Sequence, residues 1–146
     1  MPYEDVPATE NSDNSRKFVY EHRIAWVETD AMGIVHFSNY FRLCERTEQE
    51  FMHHLGVKNR QVFLPRVHAT CDYKYPLKYD QEARITMVVE EVGKRHITFN
   101  YDIINKTEER VSAKCKVVVV PVLIDMKPAK VGEDILSLLE PYVIKK

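Results

Sequence analysis

One long helical pattern constrains the fold of this chain more than any other feature. Its apolar side chains recur at the spacing of one helix face, at Tyr40, Leu43, Cys44, Thr47, Phe51 and Leu55. This spacing predicts a helix of about 17 residues that begins near Ser38. Gly56 offers the left-handed conformation in which many helices end. The remaining segments must therefore be arranged around a single long helix.

Five other segments alternate apolar and polar residues, which is the pattern of half-buried strands. They are residues 18–26, 67–75, 83–92, 97–103 and 111–121. The connections Gly93–Lys94 and Asn105–Glu109 are short enough for hairpins, so the strands that they join are antiparallel.

The order of these elements predicts an α+β domain. One antiparallel five-stranded sheet wraps around the long central helix, and a short C-terminal helix follows at 133–140. The chain has 146 residues, the size of one domain, which we place at 17–146 after a polar, flexible arm at 1–16. A single helix covers only one face of the sheet, so we expect a homodimer or homotetramer.

Charge and apolar runs exclude several classes of function. Lysine and arginine total 21 against 22 acidic residues, a net charge of −1, which argues against binding to nucleic acid. The longest apolar run, 117–124, is interrupted by Pro121 and is far shorter than the roughly 20 residues of a membrane span. The chain begins without the features of a secretory signal, so we expect a cytoplasmic protein. Three widely spaced cysteines predict neither a disulfide framework nor a metal site.

The segment between the first strand and the helix carries the candidate chemistry. Glu28 and Asp30 stand at the predicted strand end, Gly33 permits a tight loop, and the helix begins near Ser38. This order places a carboxylate beside free backbone N–H groups and the positive end of a helix dipole. The N–H groups can stabilise an oxyanion while the carboxylate attacks a carbonyl or activates water, which suits acyl transfer. Alternatively, Asp30 caps a turn and Ser38 caps the helix.

Residues 30–40, Asp-Ala-Met-Gly-Ile-Val-His-Phe-Ser-Asn-Tyr, followed by Glu45-Arg46, resemble the signature of a known family. It is the 4-hydroxybenzoyl-CoA thioesterase-like branch of the hotdog-fold superfamily, and the resemblance extends over roughly residues 18–125. A hotdog is an antiparallel sheet curled around a central helix. The resemblance implies an acyl-CoA thioesterase that releases a free carboxylic acid and CoA. It implies no cofactor, since coenzyme A is part of the substrate.

The resemblance also assigns catalytic roles. Asp30 takes the position of the catalytic aspartate, as nucleophile or general base, and the Phe37 backbone N–H that of the group polarising the thioester carbonyl. Relatives associated with the Tol-Pal system carry a tyrosine and a histidine where this chain has Trp26 and Phe37. His36 lies one residue earlier, and it either contributes to catalysis or packs at the helix entrance.

Five further residues are candidates for substrate binding: Gly33, Tyr40, Glu45, Lys94 and Arg95. Tyr40 contacts substrate or belongs to the core, and Glu45 lines the acyl pocket or is exposed or paired with arginine. In the resembled family a basic turn similar to 93–96 binds the CoA phosphates, which implies this role for Lys94 and Arg95. Alternatively, the two side chains are exposed to solvent and bind nothing. If the first strand continued to Asp30, Glu28 would share its face, and the two carboxyls would raise each other's pKa.

Two other functions remain open. The hotdog module can bind acyl-CoA or acyl carrier protein without hydrolysis. It can also dehydrate a 3-hydroxyacyl thioester, but that chemistry uses a histidine and a helix carboxylate, which match poorly here. The expected dimer joins two sheets edge to edge, so that each site borrows groups from the other subunit.

Overall fold

The computed structural model describes residues 16–57 and 62–144, so nearly all of the expected N-terminal arm lies outside the described residues. Two short 3₁₀ turns, Trp26–Glu28 and Glu140–Tyr142, accompany the regular elements. The elements in chain order are β1 Phe18–Arg23, α1 Asn39–His54, β2 Val62–Phe63, β3 Arg66–Tyr73, β4 Glu82–Val92, β5 Ile97–Asn105, β6 Arg110–Val119, β7 Val122–Leu123 and α2 Glu133–Leu139.

Five strands form one antiparallel sheet in the order β1-β4-β5-β6-β3. The predicted hairpins join β4 to β5 and β5 to β6, and the predicted sheet, central helix and short terminal helix are confirmed. A second, two-stranded sheet pairs β2 with β7. The sequence did not indicate it, because a two-residue strand is too short to show a period.

The core lies between α1 and the inner face of the sheet. The predicted helix face is buried from Tyr40 to Phe51, and Leu55 packs against its edge. Four predicted inward side chains of β5 are all buried: Ile97, Phe99, Tyr101 and Ile103. At the C-terminus the Tyr142 ring packs edge-on against Phe51, with centroids 4.8 Å apart.

The first strand is shorter than expected. It ends at Arg23, and the chain then turns through Trp26–Glu28, where the Glu28 carboxylate accepts a hydrogen bond from the Ala25 N–H at 2.7 Å. The Trp26 side chain is consequently 79% exposed. The prediction that Trp26 continues the inward face of this strand is therefore wrong.

β3 is an edge strand, and among the residues that the structure describes it pairs with β6 alone. Two of its predicted inward side chains remain exposed in the single chain, Val67 at 59% and Tyr73 at 39%, whereas Cys71 is half-buried. On the same strand Cys71 faces Cys115 of β6 with their Sγ atoms 3.0 Å apart, both as free thiols. The sequence separation of these cysteines concealed their contact.

The register defines two ends of the sheet. At one end lie the last residue of β1, the first of β4, the 106–109 turn and the last of β3. We call this the Asp30 end, because the loop after β1 carries Asp30. The opposite end carries the 93–96 turn, and we use the name hairpin end for this end only. Within the described ranges no helix is long and apolar enough to cross a membrane.

Candidate active site

Asp30 lies in a tight turn fixed by backbone hydrogen bonds. The Asp30 N–H donates to the Ile34 carbonyl at 2.8 Å, and the Gly33 N–H donates to the Asp30 carbonyl at 3.0 Å. Gly33 has a φ of +78°, which glycine adopts without strain. A Cβ added at Gly33 would meet no atom within 4 Å, so the space beside the turn is open.

The Asp30 side chain both caps its turn and keeps one oxygen available. Oδ1 accepts a hydrogen bond from the Met32 N–H at 2.8 Å, so the capping interpretation is correct. Within residues 16–57 and 62–144 no group donates to Oδ2. The carboxylate is half-buried, and its position is set by the turn while one oxygen can meet a substrate or a water.

The start of α1 offers a free N–H close to this carboxylate in the chain. The Phe37 carbonyl accepts from the Tyr40 N–H at 3.4 Å, whereas the Phe37 N–H meets no acceptor in the described part of the chain. The first turn of α1 also contains no acidic side chain. The positive end of the helix dipole therefore remains available to an anionic oxygen.

His36 packs at the helix entrance. Its Nδ1 lies 2.8 Å from the Ser38 Oγ and accepts from the Ser38 N–H at 3.3 Å. Ser38 makes no side-chain bond to the helix that follows, so the expectation that it caps α1 is wrong.

The end of β3 braces the helix start. The Tyr73 hydroxyl donates to the Phe37 carbonyl at 3.0 Å, and the Tyr73 ring packs edge-on against Tyr40 at 5.0 Å. Burial, together with Cys71, raises the pKa of Tyr73, so the phenol keeps the proton that it donates. The candidate oxyanion group thus lies beside the unpaired edge of the sheet.

Glu28 does not share a strand face with Asp30. β1 ends at Arg23, and the Glu28 Oε1 accepts from His22 Nε2 at 2.7 Å, whereas Asp30 bonds within its own turn. The two carboxylates have separate partners, so the expectation based on a continuing strand is wrong.

Two candidate binding residues differ in burial. Tyr40 is buried in the core against Tyr73, whereas Glu45 is exposed on α1. Glu45 borders a cavity of about 420 Å³ between the helix and the turn after β1. The other polar side chains bordering this cavity are His22, Glu28, Asn39, Arg42, Arg46 and Gln49.

Lys94 and Arg95 are exposed at the hairpin end. Since β4 has 11 residues and a strand rises about 3.3 Å per residue, roughly 35 Å of strand separates this end from the Asp30 end. Within one subunit the structure does not bring these cations together with Asp30.

Exposed apolar side chains surround the Asp30 turn, and we call them the apolar rim. The rings of Trp26 and Tyr79 lie 6.5 Å apart, and the Tyr79 N–H donates to the Gly33 carbonyl at 3.4 Å. The members of the rim are Trp26, Val27, Met32, Phe37 and Tyr79. We did not assign this rim from the sequence, although large apolar residues at turn positions were a signal for it.

Within the described ranges no group of three histidine, cysteine or acidic side chains could hold a metal ion. The arrangement instead supplies a carboxylate, a free N–H at a helix start and an apolar rim. These groups suit nucleophilic or water attack on a polarised carbonyl.

Comparisons with known proteins point to the same chemistry. Residues 24–139 match the model of the thioesterase-like superfamily. A protein of Aquifex aeolicus named as a candidate esterase is 42% identical over 89 residues, which cover 58% of this chain and 70% of that protein. A 1,4-dihydroxy-2-naphthoyl-CoA hydrolase of Nostoc punctiforme is 24% identical over 59% of this chain and 62% of its own length. The crystal structure of a 1,4-dihydroxy-2-naphthoyl-CoA thioesterase from Synechocystis superposes with a TM-score of 0.78 at 17% identity, covering 85% of this chain and 96% of that one.

Proposed function

Because the chain belongs to the thioesterase-like superfamily, whose members are hotdog thioester hydrolases, we propose that it hydrolyses an acyl-CoA at the Asp30 end of its sheet. The products are a free carboxylic acid and CoA. One observation carries the assignment of the site: a single hydrogen-bonded loop holds both the Asp30 carboxylate and the free Phe37 N–H.

The proposed reaction begins with the thioester carbonyl oxygen bound to the Phe37 N–H. As the carbonyl carbon is attacked, negative charge develops on this oxygen, and the N–H and the helix dipole stabilise it. Asp30 either attacks the carbon to form a mixed anhydride, which water then hydrolyses, or removes a proton from the attacking water. In both cases the C–S bond breaks and the CoA sulfur leaves as a thiolate that is then protonated.

His36 is proposed to shape the helix entrance rather than to carry a proton. Its Nδ1 is already engaged by Ser38, and this bond fixes the backbone beside the Phe37 N–H. The open space at Gly33 gives the substrate an approach to Asp30.

The acyl group is proposed to lie between the apolar rim and the cavity bordered by Glu45. Seven of the ten residues that line that cavity are polar, so it offers hydrogen-bonding groups to the substituents of an acyl group, and a long alkyl chain would leave many of these groups unpaired. A hydroxylated aromatic ring combines such substituents with an apolar body, and the Nostoc and Synechocystis relatives are named for an acyl group of this kind.

The nucleotide of CoA is proposed to bind Lys94 and Arg95 of a partner subunit. If two copies join through β3 by a two-fold axis, the partner's sheet runs in the opposite direction. Its hairpin end then lies at the Asp30 end of the first subunit. Two cations on an exposed turn can pair with the CoA phosphates there. The proposed assembly is a homodimer or a pair of dimers.

Release of CoA thiol from a panel of acyl-CoAs tests the function. The panel contains acetyl-, palmitoyl-, benzoyl- and 1,4-dihydroxy-2-naphthoyl-CoA, and calorimetry on the same preparation measures binding. We expect turnover, fastest with the hydroxylated aromatic thioester. Binding of several thioesters without release of thiol would replace the hydrolase with the non-hydrolytic module.

A further inference from the structure

The side-chain carboxylate of Glu28 accepts hydrogen bonds from β1 and from the turn that follows β1. Its Oε1 accepts from the Ala25 N–H and from His22 Nε2, both at 2.7 Å. A carboxylate of this kind only accepts, so the imidazole Nε2 carries the proton in this bond. Both side chains are largely buried, at 15% exposure for His22 and 17% for Glu28. The carboxylate therefore ties β1 to the turn that follows it.

The backbone carbonyl of Glu28 accepts hydrogen bonds from the start of α1 and from the residue before Phe37. It accepts from the His36 N–H at 3.0 Å and from the Asn39 side-chain amide at 2.8 Å. Asn39 is the first residue of α1, and His36 lies immediately before Phe37. Glu28 thus connects β1, the turn and the helix start.

The chain between these contacts contains the candidate catalytic groups. Asp30 follows Glu28 by two residues, and the bridge between Thr29 and Val35 closes the loop around Asp30. The loop is bonded to the rest of the domain at Glu28, at the Gly33 carbonyl through the Tyr79 N–H, and at Val35 through the Leu77 carbonyl. Loss of the Glu28 side-chain acceptor therefore loosens one of these attachments, although the bonds to the Glu28 carbonyl remain.

We infer that Glu28 is a positioning residue for Asp30, holding its carboxylate at a fixed distance from the Phe37 N–H through the bonds to His22, Ala25, His36 and Asn39. This inference rests on the proposed function. Catalytic efficiency depends steeply on the placement of reacting groups, so loosening the loop lowers the rate without altering the binding of the distant nucleotide. The role requires acceptor atoms rather than negative charge.

The experiment is a set of variants assayed with the best acyl-CoA of the panel. Glu28→Ala removes the side-chain acceptor, and Glu28→Gln keeps an oxygen that can accept both bonds. Glu21→Ala is the matched control. Glu21 lies on β1 next to His22, and its carboxylate accepts from Arg84 Nε at 3.4 Å and from Lys106 Nζ at 3.0 Å, outside the site. Asn39→Ala removes one bond to the carbonyl and leaves the carboxylate intact, so it serves if Glu28→Ala does not fold.

We expect Glu28→Ala to lower kcat about tenfold with KM within about twofold. Glu28→Gln should recover most of the rate, Asn39→Ala should lose less than Glu28→Ala, and Glu21→Ala should match the wild type. The effect must also vanish in the Asp30→Asn background, because a group that acts only by placing Asp30 has no role once Asp30 is gone. A merely structural role would reduce both backgrounds by the same factor.

The outcomes separate the two proposals. Absence of turnover by the wild type would overturn the proposed function itself, and full activity of Asp30→Asn would overturn the assignment of Asp30 and of the site around it. A loss in Asp30→Asn with wild-type kcat in both Glu28→Ala and Asn39→Ala would overturn only the positioning role. The positioning role would also be overturned if Glu28→Ala lowered kcat by the same factor in the wild-type and Asp30→Asn backgrounds. The same criterion applies to Asn39→Ala where that variant replaces Glu28→Ala.

Discussion

β3 and β5 have the same alternating pattern in the sequence and opposite surroundings in the structure. Phe99 and Ile103 of β5 are fully buried, whereas Val67 of β3 is 59% exposed. β5 lies in the middle of the sheet, where it pairs with a strand on each side, whereas β3 pairs with β6 alone within residues 16–57 and 62–144. Alternation therefore reports which side chains share a face, but it does not report whether anything covers that face.

An apolar edge strand is also a surface that can pair with another chain. Because Tyr73 at the end of β3 bonds the Phe37 carbonyl, a second copy joined at this edge would lie directly beside the helix start. The difference between the two strands thus bears on both assembly and activity, and the substitutions below test it.

Substitution of an apolar residue by lysine should affect the two strands very differently, and the loss of stability should be largest in β5. Ile103→Lys places an unpaired charge in the core and removes a buried apolar side chain. We expect it to lower the free energy of unfolding by more than about 4 kcal/mol, measured by urea denaturation. Stability close to that of the wild type would contradict the central position of β5.

In β3, Val67→Lys should instead dissociate the assembly. Val67 lies at the irregularity between Arg66 and His68, outside the pairing with β6, so lysine there leaves the sheet intact. We expect a change of less than about 1 kcal/mol in the stability of the folded chain and a dimer weakened on the order of 100-fold. Sedimentation velocity measures the second quantity, with Val67→Ala as control. A wild type that is monomeric and fully active at micromolar concentration would remove the partner from the account.

Substitutions at the hairpin end should have a smaller effect, on KM, and this effect should require the dimer formed through β3. Reversal of both Lys94 and Arg95 to glutamate should raise KM about tenfold with kcat nearly unchanged, because the nucleotide contributes mainly uniform binding. Lys114→Glu on β6 is the charge control. Added salt should raise KM more in the wild type than in the double variant. In the Val67→Lys background the double variant should have no further effect, and an undiminished effect there would place the nucleotide site within one subunit.

The smallest effect is expected at His36. His36→Ala should reduce kcat by less than tenfold, since it removes the bonds to Ser38 and the ring contact with Phe37, at 4.5 Å between centroids, but no proton carrier. Ser38→Ala removes the same side-chain bond by deleting the Ser38 hydroxyl, and it should lower kcat by a similar, small factor. A loss in His36→Ala that approaches that of an Asp30 variant, with an altered pH profile, would make His36 a proton carrier.

The sequence predicted those parts of the fold that depend on regular periods. The helix face from Tyr40 to Phe51 and the buried side chains of β5 were correct, because helix and strand place side chains at fixed intervals along a covered surface. The early end of β1 was missed, since the turn that follows it depends on local hydrogen bonds, among them those of Glu28 with Ala25, which leave no period in the sequence.

The candidate site was predictable only in part for a related reason. The Asp30 turn and the helix start follow from local sequence, as do the glycine at 33 and the order of elements. The contacts of Tyr73 with Phe37 and of His22 with Glu28 join residues that are distant in the chain or on different elements. Such contacts depend on the register of the sheet, which the sequence pattern does not specify to the residue.

The most direct test of the account is the activity of Asp30→Asn on the acyl-CoA that the wild type hydrolyses best. Asparagine keeps the size and the oxygen that caps the turn, so the fold and the binding of a thioester measured by calorimetry should be retained. We expect kcat to fall on the order of 100-fold or more, because neither a nucleophile nor a general base remains. A kcat near that of the wild type, with binding intact, would remove Asp30 from the mechanism and with it the assignment of this end of the sheet as the catalytic one.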